Sequence, residues 1–363
     1  MATLKEISQR TGYSPATISR ILSGDPHLSV TPEARRKVLE EAGRLNYSQT
    51  KSRRGRTPKG VLRVGIAEML SPVQQLDDPY YLYLSGFVRQ RCLDKRYTAV
   101  PLENRGSEFV VPTGGEKLDG IIAIGLFEPD QIRSLSTLSP NLVFVDSSPR
   151  ESEHDSVVLN YTLGISLALE HLEKLGHRKI GFIGPEWKYD DLRQRALETR
   201  RKLFVEQMAQ RGALREEWLL ECPMHTDEAA QAVEQFLTRG GERPTAFVAA
   251  NEEVAIGAVR ALRELNISVP EQMSVVSFNN TPRSALVDPP LTSISAHVEQ
   301  MATTALDLLR SRVPLPGREA ERTLPLKVVV PPTIIERKST TFAPEFVQDY
   351  EESKGFKNGL NFY

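Results

Sequence analysis

Apolar residues in the first 45 positions recur at helical spacing. Ile18, Ile21 and Leu22 stand at i, i+3 and i+4, which gives one narrow stripe and leaves Pro15, Ala16, Ser19, Arg20 and Ser23 on the opposite side. Ser14 has the hydroxyl of an N-cap, and Pro15 fits the first helical position, where a missing N–H costs nothing. A shorter helix is predicted from Leu4 to Thr11, with Gly12-Tyr13 as a tight turn before Ser14. Gly24-Asp25-Pro26 breaks the chain, and Thr31-Pro32-Glu33 starts a third helix running to about Leu45, with Val38, Leu39, Ala42 and Leu45 inward. Three helices with a short glycine turn between the first two have the layout of a helix-turn-helix module.

From Val61 the pattern changes. Short aliphatic runs, "VLRVGIA" (61–67), "DGIIAIG" (119–125), "NLVFVD" (141–146), "KIGFIG" (179–184), "TAFVAA" (245–250) and "MSVVSF" (273–278), alternate with helical stretches such as 163–176 and 253–266. Such alternation predicts βα units and parallel sheets. Six or more units exceed one compact sheet, so two Rossmann-like halves are expected, with a ligand cleft at the carboxyl ends of their strands. Between helices and body, residues 48–60 ("SQTKSRRGRTPKG") are polar and basic and predict a linker.

Charge separates the same regions. The chain of 363 residues has a formal net charge of −1, yet residues 1–60 hold 12 Lys and Arg against 5 Asp and Glu, leaving 34 against 42 in the rest. A basic module on an acidic body suggests a polyanionic partner for the first 60 residues, or only a solvated surface. Cys92 and Cys222 lie far apart without ligand spacing and are expected to be buried small hydrophobes; no metal site and no cofactor are expected. His171 and His177 do not have HExxH spacing, and no P-loop or GxSxG is present, so no enzyme is expected. No apolar run approaches the roughly 20 residues that span a bilayer, and no signal-peptide pattern follows Met1, so a cytoplasmic protein with no membrane partner is expected.

"TLKEISQRTGYSPATISRIL" followed by "VTPEARRKVLEEAGRLNY" resembles the DNA-binding headpiece of the lactose/galactose repressor (LacI/GalR) family of bacterial transcription regulators. The likeness continues through "LEHLEKLGHRKIGFIG", "VAANEEVAIGAVRAL", "VPEQMSVVSFNN" and "DPPLTSI", covering about residues 2–338. "DPYYLYLSGF" and "DLRQRALETR" look most like the galactoside-responsive repressors. The resemblance implies an all-α helix-turn-helix headpiece (1–47), a hinge (48–60), and a periplasmic-binding-protein-like α/β core of two Rossmann-like lobes (61–338). Lobe one is expected at 61–159 plus 291–323 and lobe two at 160–290 plus 324–338, followed by a tail (339–363) that is loose or docked on a partner subunit. The implied function is repression of a sugar operon by a homodimer on a near-palindromic double-stranded DNA operator, with a sugar effector between the lobes. Other readings are a family member answering to a phosphocarrier protein or a nucleobase co-repressor, and a sugar-binding protein without DNA function.

Carried over residue by residue, the resemblance places Pro15 and Ala16 at base-choosing positions and Arg20 at the guanine-reading arginine, whose planar fork suits O6 and N7. Thr17 and Ser19 match phosphate-contacting positions, Ser14 joins this face at the helix start, and Thr3 and Ser29 add backbone contacts. The hinge departs from the pattern: Gln49 and Thr50 replace Pro-Asn, and Gly55-Arg56 stand where a wedging leucine is expected. Arg53, Arg54 and Arg56 either enter a narrow minor groove by charge or form a basic linker touching phosphates. In the core, Arg193 matches the arginine that grips sugar hydroxyls, with neighbouring arginines as substitutes; Asn251 ends a strand where the family often has Asn before Asp, here followed by Glu252, and Asn279 replaces the aspartate that commonly pairs with sugar hydroxyls. Tyr80 and Tyr81 either stack on a sugar or belong to the core, Phe127 is a further wall candidate, and Asp146 is a candidate acceptor that closes the lobes rather than a ligand residue.

Overall fold

A computed structural model of the chain describes residues 4–22, 28, 30–45, 61–112, 117–191, 193–315 and 317–345. Two units divide at Lys59 and Gly60. The first contains α1 (Leu4–Thr11), α2 (Pro15–Leu22) and α3 (Pro32–Arg44). Their starts follow the capping chemistry: Ser14 Oγ accepts the Thr17 N–H at 3.1 Å, and Thr31 Oγ1 accepts that of Ala34 at 3.2 Å. Ile7, Ile18, Ile21, Val38 and Ala42 form the core, with Leu22 and Leu45 packed against it. Leu39, expected inward, is 51% exposed. It lies about 100° around the helix from Val38, off the stripe that Val38 and Ala42 share.

The second unit opens with β1 (Arg63–Glu68), α4 (Gln74–Asp77), α5 (Pro79–Asp94) and β2 (Thr98–Pro101), followed by a short antiparallel pair, β3 (Glu103–Asn104) and β4 (Phe109–Val110). β5 (Gly120–Ile124), α6 (Pro129–Leu138), β6 (Leu142–Val145) and β7 (Asp155–Leu159) complete its first stretch. The chain then forms α7 (Tyr161–Lys174), β8 (Ile180–Ile183), a hairpin of β9 (Trp187–Tyr189) and β10 (Arg195–Leu197), α8 (Thr199–Gln210) and β11 (Leu219–Leu220). Next come α9 (Thr226–Thr238), β12 (Ala246–Ala249), α10 (Glu252–Glu264), β13 (Ser274–Asn279) and β14 (Thr292–Ser295). Finally α11 (Val298–Arg312), β15 (Lys327–Val330) and β16 (Thr333–Ile335) return to each half.

Two six-stranded sheets result, ordered β15-β7-β6-β5-β1-β2 and β11-β8-β12-β13-β14-β16. All pairings in the first are parallel, and in the second only β14 with β16 is antiparallel. Strands covered on both faces read as unbroken apolar runs, and LVFV in β6, IGFI in β8 and AFVA in β12 are buried throughout.

The expected lobe boundaries at 291 and 324 move. β14 extends the second sheet, with Val276 beside Thr292, whereas β15 pairs with β7, with Lys327 beside Ser156. Lobe one therefore takes α11 and β15 in addition to 61–159, and lobe two takes β14 and β16. The expectation of a loose or subunit-docked tail is also corrected for residues 339–345, because these dock on the chain's own lobe two. Ser339 is fully buried, its Oγ donates to the Val275 carbonyl at 2.6 Å and accepts the Thr292 N–H at 2.8 Å, and the Ala343 N–H donates to the Leu175 carbonyl at 2.8 Å. Residues 346–363 lie outside the described residues.

Candidate functional site

On α2 the polar face is presented as its spacing requires. Ser14, Pro15, Ala16, Ser19 and Arg20 are exposed and Thr17 is half-buried, while Ile18 and Ile21 are buried in the three-helix core. The Ser14 and Thr17 hydroxyls are 2.8 Å apart and hydrogen-bonded, so the cap also orients the Thr17 side chain. The Arg10–Glu41 ion pair, 3.0 Å long, joins α1 to α3 and supports this platform from behind. Thr3, Ser29, Arg53, Arg54 and Arg56, with the whole 48–60 hinge, lie outside the described residues.

In the second unit a cavity of about 420 Å³ opens between the lobes. Lobe one supplies Met69, Leu70, Asp78, Tyr80, Tyr81 and Asp146, and lobe two supplies Tyr161, Lys188, Arg200, Met224, Asn251 and Asn279. Asp146, Asn251 and Asn279 stand at or just beyond the carboxyl ends of β6, β12 and β13, where open parallel sheets expose side chains to a crevice. Asp146 is the hub: Tyr81 donates to Oδ2 at 2.7 Å, while Tyr80 and Tyr161 donate to Oδ1 at 3.2 and 3.4 Å. Its φ of 69° turns the carboxylate off the strand direction. Arg200 is 4% exposed; its Nε donates to Glu198 at 2.8 Å and its Nη1 to the Ala250 carbonyl at 2.6 Å. Its guanidinium lies 5.4 Å from the Tyr161 ring centroid and 6.0 Å from that of Phe278.

Burial sets the proton affinities. It raises the Asp78 carboxyl above the usual range, against the pull of Lys188. Burial, with Asp146 close by, pushes the Tyr80 and Tyr81 phenols well above theirs, so both are neutral donors. For Arg200, burial opposes the charge most strongly, but Glu198, Tyr161 and Asp146 together outweigh it and hold the guanidinium firmly protonated. The cavity thus presents fixed cations, carboxylate acceptors, amides that both donate and accept, and flat aromatic walls.

Residues 169–340 match the model of the periplasmic binding protein-like domain. Over 319 residues, 88% of this chain and 95% of the relative, the sequence is 30% identical to the HTH-type transcriptional regulator GalR of Lacticaseibacillus casei. Over 350 residues, 93% of this chain and 97% of the relative, it is 30% identical to the HTH-type transcriptional repressor MelR of Bacillus subtilis (strain 168). The chain belongs to the LacI/GalR family of HTH-type transcriptional regulators. Among solved structures, the lac repressor dimer bound to operator and the anti-inducer ONPF is similar with a TM-score of 0.65 at 22% identity. The match covers 94% of this chain and 99% of that one, a likeness of fold.

Of the residues expected to line the effector site of this regulator, Tyr80, Tyr81, Asn251 and Asn279 meet in the cavity. The two tyrosines, 6% and 7% exposed, are packed in the lobe-one core and also line the cavity. Asn251 also N-caps α10, its Oδ1 accepting the Val254 N–H at 2.9 Å. Its neighbour Glu252 turns away and accepts the Thr281 and Ser284 hydroxyls.

Two expectations fail. Phe127 is 2% exposed and packed against Phe109 and Phe144 in the lobe-one core, because the chain past β5 folds back over that sheet. Arg193 sits in the β9–β10 turn at φ 60°, its Nε 2.8 Å from Glu128, and does not line the cavity. Arg200 takes the place expected for Arg193. The sequence carries its signal, since Arg200, Phe204 and Met208 share one stripe of α8 at i, i+4 and i+8, and all three are buried. Asp78, Lys188 and Tyr161 are further lining residues that the sequence reading missed.

Among the described residues no group of three or more His, Cys, Asp or Glu is placed to hold a metal ion, and no helix is long and apolar enough to cross a membrane. Cys92 and Cys222 are buried free thiols, pushed up to about 11 and about 12 by burial.

Proposed function

We propose that this regulator represses a sugar-utilisation operon, reading duplex DNA through the exposed face of α2 under the control of a sugar held between the lobes. The observation that carries the reading is the cavity itself, where Asp146, Arg200, Asn251 and Asn279 surround a space walled by Tyr80, Tyr81 and Tyr161. Sugar hydroxyls both donate and accept, and sugar rings have apolar faces, so a mixed amide, carboxylate and guanidinium set beside aromatic rings suits a neutral polyol. The names GalR and MelR among the relatives make galactosides the first sugars to test.

Arg20 is the side chain on α2 that suits guanine O6 and N7, Pro15 and Ala16 are small enough to meet a thymine methyl, and Ser14, Thr17 and Ser19 suit phosphate oxygens. One headpiece covers half of a two-fold site, so the acting form is a homodimer on a near-palindromic operator. Arg53, Arg54 and Arg56 add positive charge next to the headpiece. The protein acts in the cytoplasm as a binding switch without catalysis of its own. A sugar changes DNA affinity only if it binds one lobe arrangement better than the other.

The test is selection of a binding site from random duplex oligonucleotides, followed by gel-shift titration of that site with a panel of sugars. A selected two-fold site whose affinity moves with a sugar is expected. Absence of any sequence preference would overturn the DNA reading, and a selected site indifferent to every sugar would overturn the effector reading.

A further inference from the structure

The segment that follows β16 crosses the foot of the second sheet strand by strand. Ser339 bonds β14 and β13 through Thr292 and Val275, and the Thr341 N–H donates to Ser274 Oγ at 3.1 Å, again on β13. The Thr341 carbonyl accepts from His177, which also meets Thr245 just before β12. Glu345, the last described residue, accepts from Lys179 Nζ at 2.7 Å, just before β8. The next strand in the sheet is β11, its edge. Lys179 also holds Glu242 at 3.2 Å, and the Glu242 carbonyl accepts the Trp218 indole N–H at 3.2 Å, one residue before β11. The path of the segment therefore ends at the foot of the edge strand.

A groove of about 510 Å³ opens there, between β11 and α8. Its apolar lining is Val205 of α8, Leu214, Leu219 of β11 and Leu197 of β10, and Leu197 is 45% exposed. The cations on its rim are engaged: Arg201 donates to the Gly184, Leu219 and Leu220 carbonyls, and Lys202 stands 3.9 Å from Glu206. Glu186 and Glu216 add two carboxylates, so the groove disfavours an acidic occupant. Apolar surface beside an edge strand invites pairing with another chain unless something covers it. The sequence after Glu345 has the chemistry for that cover. Pro344 and Glu345 are helical, and Phe346, Val347 and Tyr350 come next at the i, i+1 and i+4 spacing of one helix face, with Asp349 and Glu352 off it. Farther on, residues 353–363 hold Phe356, Leu360, Phe362 and Tyr363 with Lys354 and Lys357, and no acid.

We propose that the groove between α8 and β11 is the docking surface of the chain's own segment 346–363. Phe346, Val347 and Tyr350 enter against Val205, Leu214 and Leu219, and the basic end reaches toward Glu186 at the base of the hairpin. Docked there, the segment closes the free edge of the second sheet and braces α8, the helix that carries Arg200.

Disulfide trapping in the full-length protein tests it. Val347→Cys is combined either with Val205→Cys in the groove or with Glu234→Cys, an exposed position on α9, which packs on the opposite face of the sheet. Cys92 and Cys222 are buried and stay in place. Docking raises the local concentration of one thiol around the other, so oxidised glutathione should link the Val205 pair at least about tenfold faster than the Glu234 pair. Equal linking at both positions would overturn the docking. Labelled and unlabelled chains, mixed and left to exchange subunits before oxidation, identify the occupant by mass spectrometry. Linked peptides of a single label are expected, and peptides of mixed label would overturn the proposal in favour of a second copy. Hydrogen exchange of the unsubstituted protein reads the same contact without any variant. Slowed exchange in residues 346–350 is expected, and exchange at the rate of an unfolded peptide there would overturn the proposal.

Discussion

Arg193 Nε meets Glu128 Oε1 at 2.8 Å, joining the β9–β10 turn of lobe two to the N-cap residue of α6 in lobe one. The arginine side chain is 26% exposed and the glutamate 49%, so the pair adds little to stability, about 0–1 kcal/mol. Its expected effect is on how long the cleft stays closed. Glu128→Ala should leave the unfolding midpoint nearly unchanged and raise the sugar dissociation rate several-fold, measured by stopped-flow tyrosine and tryptophan fluorescence. An unchanged rate would show that the hairpin does not gate the cleft.

Arg20→Ala on the exposed face of α2 should cost roughly 1–3 kcal/mol of operator binding and relax the requirement at one base pair. Ser19→Ala, if Ser19 meets only phosphate, should weaken specific and nonspecific DNA alike and by less. Fluorescence anisotropy with the selected site and single-base variants separates the two patterns.

Arg200 and Glu198 are both nearly buried, 4% and 2% exposed, so removing one strands the other. Arg200→Met should destabilise the core by about 3–5 kcal/mol in urea unfolding and abolish sugar binding. Adding Glu198→Gln to that variant should restore most of the stability without restoring sugar binding. If sugar binding returned as well, Arg200 would be a structural residue only.

His177 is 1% exposed, its Nε2–H donating to the Thr341 carbonyl at 3.0 Å and its Nδ1 2.8 Å from the Thr245 hydroxyl. Burial lowers its pKa below 6.5, the Thr341 carbonyl only partly offsetting this, and burial lowers His171 in the same way. Below about pH 6.5 the unfolded chain takes up protons that the folded one refuses, so stability is full above that pH and falls as pH drops toward the depressed values. Each pH unit in that window costs up to about 1.4 kcal/mol per histidine. Urea unfolding at about pH 7.5 and pH 5.5 should show the loss, and His177→Gln should remove the share due to His177 while that of His171 remains.

The caps at Ser14 and Thr31, the inward stripe of α2 and the alternation of strand and helix from Val61 onward were legible because each depends on neighbours within one or two turns of chain. Asn251 and Asn279 were legible through the family resemblance, which places them at the family's polar cleft positions just past apolar runs. Arg193 is carried over from the family motif with neighbouring arginines as substitutes, and since the hairpin between β8 and α8 holds it in a turn, only the stripe shared with Phe204 and Met208 points to Arg200 among them. Phe127 shows the same limit, since an apolar residue past a strand end suits a cavity wall and a core equally. β14 and β15 are both four-residue strands, so nothing local says which sheet each joins; their registers with β13 and β7 decide it.

β15 and β16 follow each other closely in the chain, yet one edges the first sheet and the other the second. As the polypeptide leaves the ribosome, lobe one has five of its six strands by Leu159 and lobe two has five of its six by Ser295, and both wait for the stretch from Lys327 to Ile335. That late segment works as a stitch drawn through two pieces of cloth at once. Neither lobe can finish early, and a nascent regulator cut short of it would leave β7 and β14 uncovered at sheet edges, both templates for aggregation.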